Sequence, residues 1–426
     1  MGLIKNFDSL NKTPERKICL ELIESALFSI QPQNIISKNF SLNENILTIQ
    51  EETFDLSLFE RIFLLGFGKG SAGLSKQIET LLGKLLTDGY VIDLGQEQFY
   101  KIQLTIGTHP LPSETNVAFT KNALERLGNL TERDLVLVVI AGGGSALFEN
   151  PYRIDLEKLI KINKSLLSCG ATIAEMNIVR KHLSLVKGGG LIKSLFPARI
   201  ISVIASDVPG NDLSVIASGP TVKDKSTKEQ VLEVLKKYNL LGESCFPEKD
   251  FIETPKEDKY FTNSTNILLV SNQTALQAMQ SKAKELGFNA KILTDKLQGD
   301  AKTTGKELID KTPSKQILLV GGETTVKVVN KNGKGGRNQD LVLATLPFID
   351  DKTTIVSFNS DGWDNSEFTG AIGDLETINK AKELNLNPKE YLDTDNSFIF
   401  FEKIGDGIVT GRLPSNVSDL MIVLKM

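Results

Sequence analysis

Short apolar runs rich in branched residues recur along this chain, and most of them end in a glycine-rich or acidic loop. Arg61 to Phe67 (RIFLLGF), Tyr90 to Leu94, Leu135 to Ile140 and Ile200 to Ala205 have the length and composition of buried strands. Stretches with helical spacing, such as Ser113 to Leu127, separate them. Strands alternating with helices predict a largely parallel sheet and therefore an α/β fold. Ahead of these runs, Thr13 is placed to cap a packing helix. Pro14 and Glu15 lie in its first turn, and Ile18, Leu22, Ile23, Ala26 and Leu27 recur on one face.

At 426 residues the chain has room for two or three domains. The stretch Leu241 to Thr265 is charged, carries two prolines and follows neither periodicity, which predicts a boundary there, with domains 1–250 and 251–426. Beyond it, Asn266 to Val270, Ile317 to Val320 and Thr353 to Phe358 read as strands. Thr274 to Leu286, Asp300 to Ile309 and Asn338 to Leu346 read as helices. Thr324 to Gly335 predicts an antiparallel hairpin turning at Asn332-Gly333, so the second domain is expected to be smaller and to carry a mixed sheet.

Composition narrows the function. With 49 Lys and Arg against 53 Asp and Glu, the formal charge is -4, which provides no global field for nucleic acid or an anionic membrane. No run approaches the length of a membrane span, and the N-terminal residues lack a signal-peptide pattern. Cys19, Cys169 and Cys245 show no CxxC spacing, so a reducing cytoplasm is the expected location. Two histidines, His109 and His182, exclude a multi-histidine metal site; any metal is expected to be a hard cation such as Mg2+ on oxygen ligands.

The loops carry the chemistry. In GFGKGSAG, Gly68 and Gly70 flank Lys69 at a strand-to-helix junction, a pattern that cradles phosphate on free backbone amides. A tight turn with Lys69 in solvent uses the same glycines. Gly68, Gly70 and Gly73 also spell GxGxxG with Asp93 20 residues later, the dinucleotide fingerprint of a dehydrogenase. In AGGGSAL, Gly142, Gly143, Gly144 and Ser145 offer a second anion nest. Arg180, Lys181, His182 and Lys187 cluster before a further glycine run and are either anion donors or a solvated face. Asp207 ends a strand and is placed to hold Mg2+ or accept a proton, with Asp212 close behind. Glu323 lies near another strand end, Gly335 and Gly336 set Arg337 at a helix start as an anion anchor, and Asp361 and Asp364 flank the single tryptophan.

In this order, GFGKGSAG, AGGGSAL, RKHLSLVKGGGL, SDVPGNDLSVIASGPT, GGETTVKVV and GGRNQD resemble the two-domain glycerate 2-kinases whose C-terminal half is the MOFRL domain. The resemblance covers nearly the whole chain. It implies a Rossmann-like N-terminal domain and ATP-dependent, Mg2+-assisted phosphorylation of the 2-hydroxyl of D-glycerate in a cleft between the domains. It implies catalytic roles for Lys69, Asp207 and Arg337; among the acidic loops, Asp207 and Asp361 are the expected metal ligands, with a capped loop the other reading of Asp361. Substrate or nucleotide contacts are implied for the two glycine loops, the Arg180–Lys187 cluster, Asp212, Glu323, Asn338 and Gln339. A homo-oligomer is compatible with it. An NAD(P)H-dependent hydroxypyruvate reductase, a name also used in this family, and a silent sugar-acid-binding member are the alternatives. The chain departs from the family pattern at Ala141, at Gly70, in DGWDNSEFTG and in TGRLPSNVSD, where Arg412, Leu413 and Pro414 replace a glycine- and threonine-rich loop.

Overall fold

Branched apolar side chains build the first sheet. Its strands are β1 (Arg61–Phe67), β2 (Asp88–Asp93), β3 (Ile102–Ile106), β4 (Asp134–Ile140), β5 (Arg199–Ala205) and β6 (Ser264–Val270), in the order β3-β2-β1-β4-β5-β6. The pairs β3–β2, β2–β1, β1–β4 and β4–β5 are all parallel. All seven residues of β4 are buried, as expected for a strand covered on both faces. The computed structural model describes residues 2–242 and 246–426, so Cys245 lies outside the described residues, where Cys19 and Cys169 are free thiols. No helix among the described residues is long and apolar enough to cross a membrane.

The chain divides into two compact units, Ile35–Ser206 with Asn211–Leu269, and Met1–Asn34 with Asp207–Gly210 and Val270–Met426. A single cut after residue 250 is therefore corrected. The charged stretch that suggested it is a crossover: Ile200 donates its amide to the Asn263 carbonyl at 2.9 Å, and β6, expected in the second domain, takes the edge beside β5.

The second unit is built around β7 (Ala290–Leu297), β8 (Gln316–Gly322), β9 (Thr353–Asn359), β10 (Gly370–Gly373), β11 (Gly407–Ile408) and β12 (Asp419–Lys425), ordered β7-β8-β12-β9-β10-β11. Only β7–β8 is parallel; β12 runs antiparallel to both of its neighbours, giving the expected mixed sheet. Six of the seven β12 residues are buried, over a core that includes Val342, Phe400 and Phe401. The expected hairpin does not form. Between Thr324 and Gly335 the backbone is satisfied by side chains instead: the Asp395 carboxylate accepts from the Val329 and Asn330 amides at 2.6 and 2.7 Å, and Asn396 Oδ1 accepts from Lys334 at 3.2 Å. Local carboxylate bonds compete successfully with a strand ladder there.

The N-terminal helix Pro14–Ser29, capped by Thr13 as expected, packs on the helix Asn272–Glu285 of the same unit. Arg16 anchors it. Its guanidinium is wholly buried and forks onto Asp374 (2.6 Å twice) and Asp406 (2.7 and 2.9 Å), and Lys12 also reaches Asp406 at 2.7 Å. Burial works against this charge, but the two carboxylates more than offset it and raise the guanidinium above its ordinary range.

Candidate active site

In the first unit the strand order reverses between β1 and β4. In an open α/β sheet that switch point opens a crevice at the strands' carboxyl ends where ligands bind. The loops after these two strands are the two glycine loops. They are tied together by the Lys69 amide, which donates to the Gly142 carbonyl at 2.7 Å, and by the Ala141 amide on the Phe67 carbonyl at 3.0 Å. Gly68 has φ +113°, and a Cβ there would run into the Ala141 carbonyl, so this contact requires glycine. A Cβ on Gly143 would lie 3.4 Å from Lys69 Cε and 2.8 Å from the His109 ring, which puts Lys69, His109 and the AGGG loop side by side. Among the described residues the amides of Gly142, Gly143 and Ser145 have no acceptor in the protein, while Gly144 donates to Ala141 at 3.3 Å. Uncommitted amides beside a lysine fit the phosphate oxygens of a nucleotide. His109 is held neutral at pH 7, since burial and then the charge of Lys69 push it down to about 4.

The structure argues against the dinucleotide fingerprint. Asp93 is buried, and its carboxylate accepts from the Ala72 amide at 2.8 Å and the Leu94 amide at 2.6 Å. It caps the helix Ser71–Leu82 that follows Gly70 and is not free to take a ribose hydroxyl. Burial raises its proton affinity, with these amides partly offsetting the effect. The first loop therefore contributes Lys69 more than a helix-end anion site.

The basic cluster turns inward. Lys187 is buried against Glu149, Lys181 pairs with buried Asp224 at 3.0 Å, Arg180 Nε donates to Asn163 at 2.8 Å, and His182 lies between the Ile178 carbonyl (2.8 Å) and Glu253 (3.3 Å). Burial lowers the proton affinity of both Lys187 and Arg180, and Glu149 opposes it. Of the four side chains expected to bind substrate, Lys181, His182 and Lys187 are buried on internal partners, as buried charges require, and Arg180 is half-buried. Asp212 accepts from Ser214 at 2.8 Å in a turn, and the Ser214 bonds hold its carboxyl below the usual range. Ser218 was missed. Its hydroxyl lies 2.8 Å from that of Ser145, and both Ala217 (φ +49°) and Ser218 (φ +63°) are left-handed, a strained backbone of the kind functional loops hold. The sequence signalled only a tight turn at Ser218-Gly219-Pro220.

In the second unit Arg337 opens the helix Arg337–Thr345 but is not a free anion anchor. Its Nε and Nη2 fork onto Asp419 at 2.5 and 3.1 Å, and Nη1 bonds Glu323. Asp419 is wholly buried, and burial pushes it up to about 7 against the pull of Arg337. Asn338 and Gln339, expected to touch substrate, are buried and bind Asp364, which accepts from both amides (3.2 and 3.0 Å) and both side chains (3.1 and 3.0 Å). A Cβ on Gly336 would collide with Asp364, which explains the glycine before Arg337. Asp207 Oδ2 accepts from Asn416 at 3.3 Å, and Asp361 accepts from the Trp363 amide at 3.0 Å. Among the described residues no three His, Cys, Asp or Glu side chains converge on a metal position.

A Rossmann-ordered sheet with uncommitted amides and a lysine at its switch point defines an α/β protein whose loops offer donors to an anion. Residues 18–248 match the family described as Domain of unknown function (DUF4147), and residues 316–419 match the MOFRL family. The chain is 32% identical to a D-glycerate 2-kinase from Thermotoga maritima, covering 96% of this chain and 98% of that protein. It is 34% identical to a glycerate 2-kinase from Pyrococcus horikoshii over 96% and 97% of the two chains. A crystal structure of glycerate kinase from Thermotoga maritima superposes with a TM-score of 0.83 at 33% identity, covering 96% of this chain and 99% of that one. The chain belongs to the glycerate kinase family.

Proposed function

We propose that the protein transfers the terminal phosphoryl group of ATP to the 2-hydroxyl of D-glycerate, releasing 2-phosphoglycerate and ADP. The observation that carries this reading is the open amide nest of Gly142, Gly143 and Ser145 beside Lys69, at the ligand-binding end of the sheet. Phosphoryl transfer requires positioning and charge neutralisation more than covalent chemistry. Lys69 supplies a positive charge where the phosphoryl oxygens would lie, and the nest supplies donors that need no reorganisation. Arg337 acts as a positioning residue and a local charge, because Asp419 and Glu323 hold it in one orientation.

Asp207 and Asp361 are the carboxylates assigned to Mg2+. Two carboxylates suit this ion, which commonly keeps one or two protein ligands and completes its shell with water and phosphate. When bound, Mg2+ neutralises charge on the phosphate oxygens. Asp207, oriented by Asn416, also serves to position the acceptor hydroxyl. The resemblance of their motifs is what implies one reaction for Lys69, Asp207 and Arg337.

The test is a coupled assay with D-glycerate, ATP and Mg2+, trapping product through enolase, which accepts 2-phosphoglycerate and not its 3-isomer. Signal that requires all three components supports the reading. Loss of NADH or NADPH on adding hydroxypyruvate, without ATP turnover, would replace it with the reductase.

A further inference from the structure

The loop that departs from the family pattern holds an arginine unlike the others in its unit. Arg16 and Arg337 are committed to carboxylates. Arg412 is exposed, and among the described residues no acid pairs with it; its guanidinium instead lies over the Trp363 ring, 4.2 Å from the centroid. Stacking fixes the plane of the guanidinium while leaving its edge of N–H donors free for a planar pair of anionic oxygens. Lys5 comes to the same place: a Cβ on Gly411 would lie 2.5 Å from its ammonium nitrogen, and among the described residues Lys5 has no ion pair.

The loop is also held against the acidic residues of the candidate site. Leu413 donates its amide to the Asp361 carbonyl at 2.8 Å, Val417 donates to Ser360 Oγ at 2.8 Å, and Asn416 reaches Asp207. Arg412 thus sits one residue from a backbone bond to one proposed metal ligand and four residues from the side chain that orients the other.

We propose that Arg412, laid on Trp363 with Lys5 beside it, is a specificity-determining anion anchor that grips a carboxylate or phosphoryl group of the substrate pair. The acceptor carboxylate and the nucleotide phosphates offer the same chemistry, and the experiment separates them. That the anion belongs to a kinase substrate rests on the function proposed above.

Trp363 is the single tryptophan, so the intrinsic fluorescence of the intact protein reports on the anchor without any need for turnover. D-glycerate and, separately, ATP are titrated against wild-type protein, Arg412→Ala and Arg412→Lys, and the KM for each substrate is measured in parallel. Arg412 is exposed and its removal leaves no buried charge, so Arg412→Ala is expected to keep the wild-type melting temperature. The expected result is an emission change with glycerate whose midpoint rises at least tenfold in Arg412→Ala and less in Arg412→Lys, with kcat within threefold. The same shift confined to ATP supports the anchor and assigns it to the phosphates. Unchanged midpoints and KM values for both ligands in Arg412→Ala overturn it, even if the wild type is a competent kinase. Conversely, a wild type that turns over no ATP while glycerate still perturbs Trp363 through Arg412 would sink the kinase reading and leave the anchor standing.

Discussion

The two units hold their functional groups in different ways. In the first, backbone conformation does the positioning: glycines let two loops touch, the amides of Gly142, Gly143 and Ser145 stay uncommitted, and half-buried Lys69 lies beside His109 and the second loop. In the second, side-chain charge does the positioning. Arg337 is held by buried Asp419 and half-exposed Glu323, and buried Asp364 holds Asn338 and Gln339 beside it. A backbone-built site can lose a side chain and keep its shape, whereas a charge-built site fails as a whole when one member leaves.

The largest effect should follow from breaking the second arrangement. Arg337→Ala leaves buried Asp419 without its charged partner, with Asn359 still donating to it, and is expected to cost about 1–3 kcal/mol of stability together with most of the activity. Chemical denaturation at pH 7 beside a kcat/KM measurement checks this, and a stable but inactive variant would erase the distinction between the units. Lys69→Ala should separate the two properties, lowering kcat by roughly 100- to 1,000-fold while moving Tm by no more than about 2 °C. Parallel losses in kcat and Tm would show that the loop lysine is structural.

A smaller effect concerns pH. Burial raises Asp340 to about 6, above the ordinary carboxylate range, so between roughly pH 4 and 6 the folded chain holds a proton that the unfolded chain releases. This group's contribution to stability falls as pH rises through that window and is level above it. Asp340→Asn should therefore gain on the wild type by about 2–4 °C at pH 7 relative to pH 4.5, read from Tm against pH; a constant difference would contradict the sign. The smallest effect is expected at His109. Being neutral throughout the physiological range, it should contribute no limb to the kcat profile between pH 6 and 8, and His109→Asn should leave the profile's shape unchanged.

The same contrast explains what the sequence revealed. Strands β1, β4, β5 and β9 could be read directly because runs such as LVLVVI are apolar on both faces, and the glycine loops could be read because a close backbone approach leaves glycine as its trace. The charge cluster could not. Arg337 meets Asp419 across 82 positions, and Asp364 reaches Asn338 across 26, so these residues looked like separate ligand contacts when they are contacts with one another. The internal pairing of RKHLSLVK was hidden for the same reason: its partners Glu149, Asp224 and Glu253 lie in other segments and carry no local pattern. Strand β3 and the short strands β10 and β11 escaped notice because half-exposed, glycine-bearing or two-residue segments barely alternate.

The buried fork of Arg16 has a consequence for how this molecule is made. Its partner Asp406 is 390 residues further along the chain. At about 5–20 residues per second a ribosome needs roughly 20–80 s to cover that distance. For most of that interval, until Asn272–Glu285 is made, the nascent helix Pro14–Ser29 lacks the helix it packs on and must keep Leu20, Ile23 and Leu27 from other partners, while residues 35–206 and 211–269 of the other unit are synthesised. β12, which occupies the middle of the second sheet, emerges later still. The helix translated first among these elements is thus among the last to lock, and a nascent chain held before residue 272 should bind hydrophobic-segment chaperones that a chain held beyond Asp406 releases.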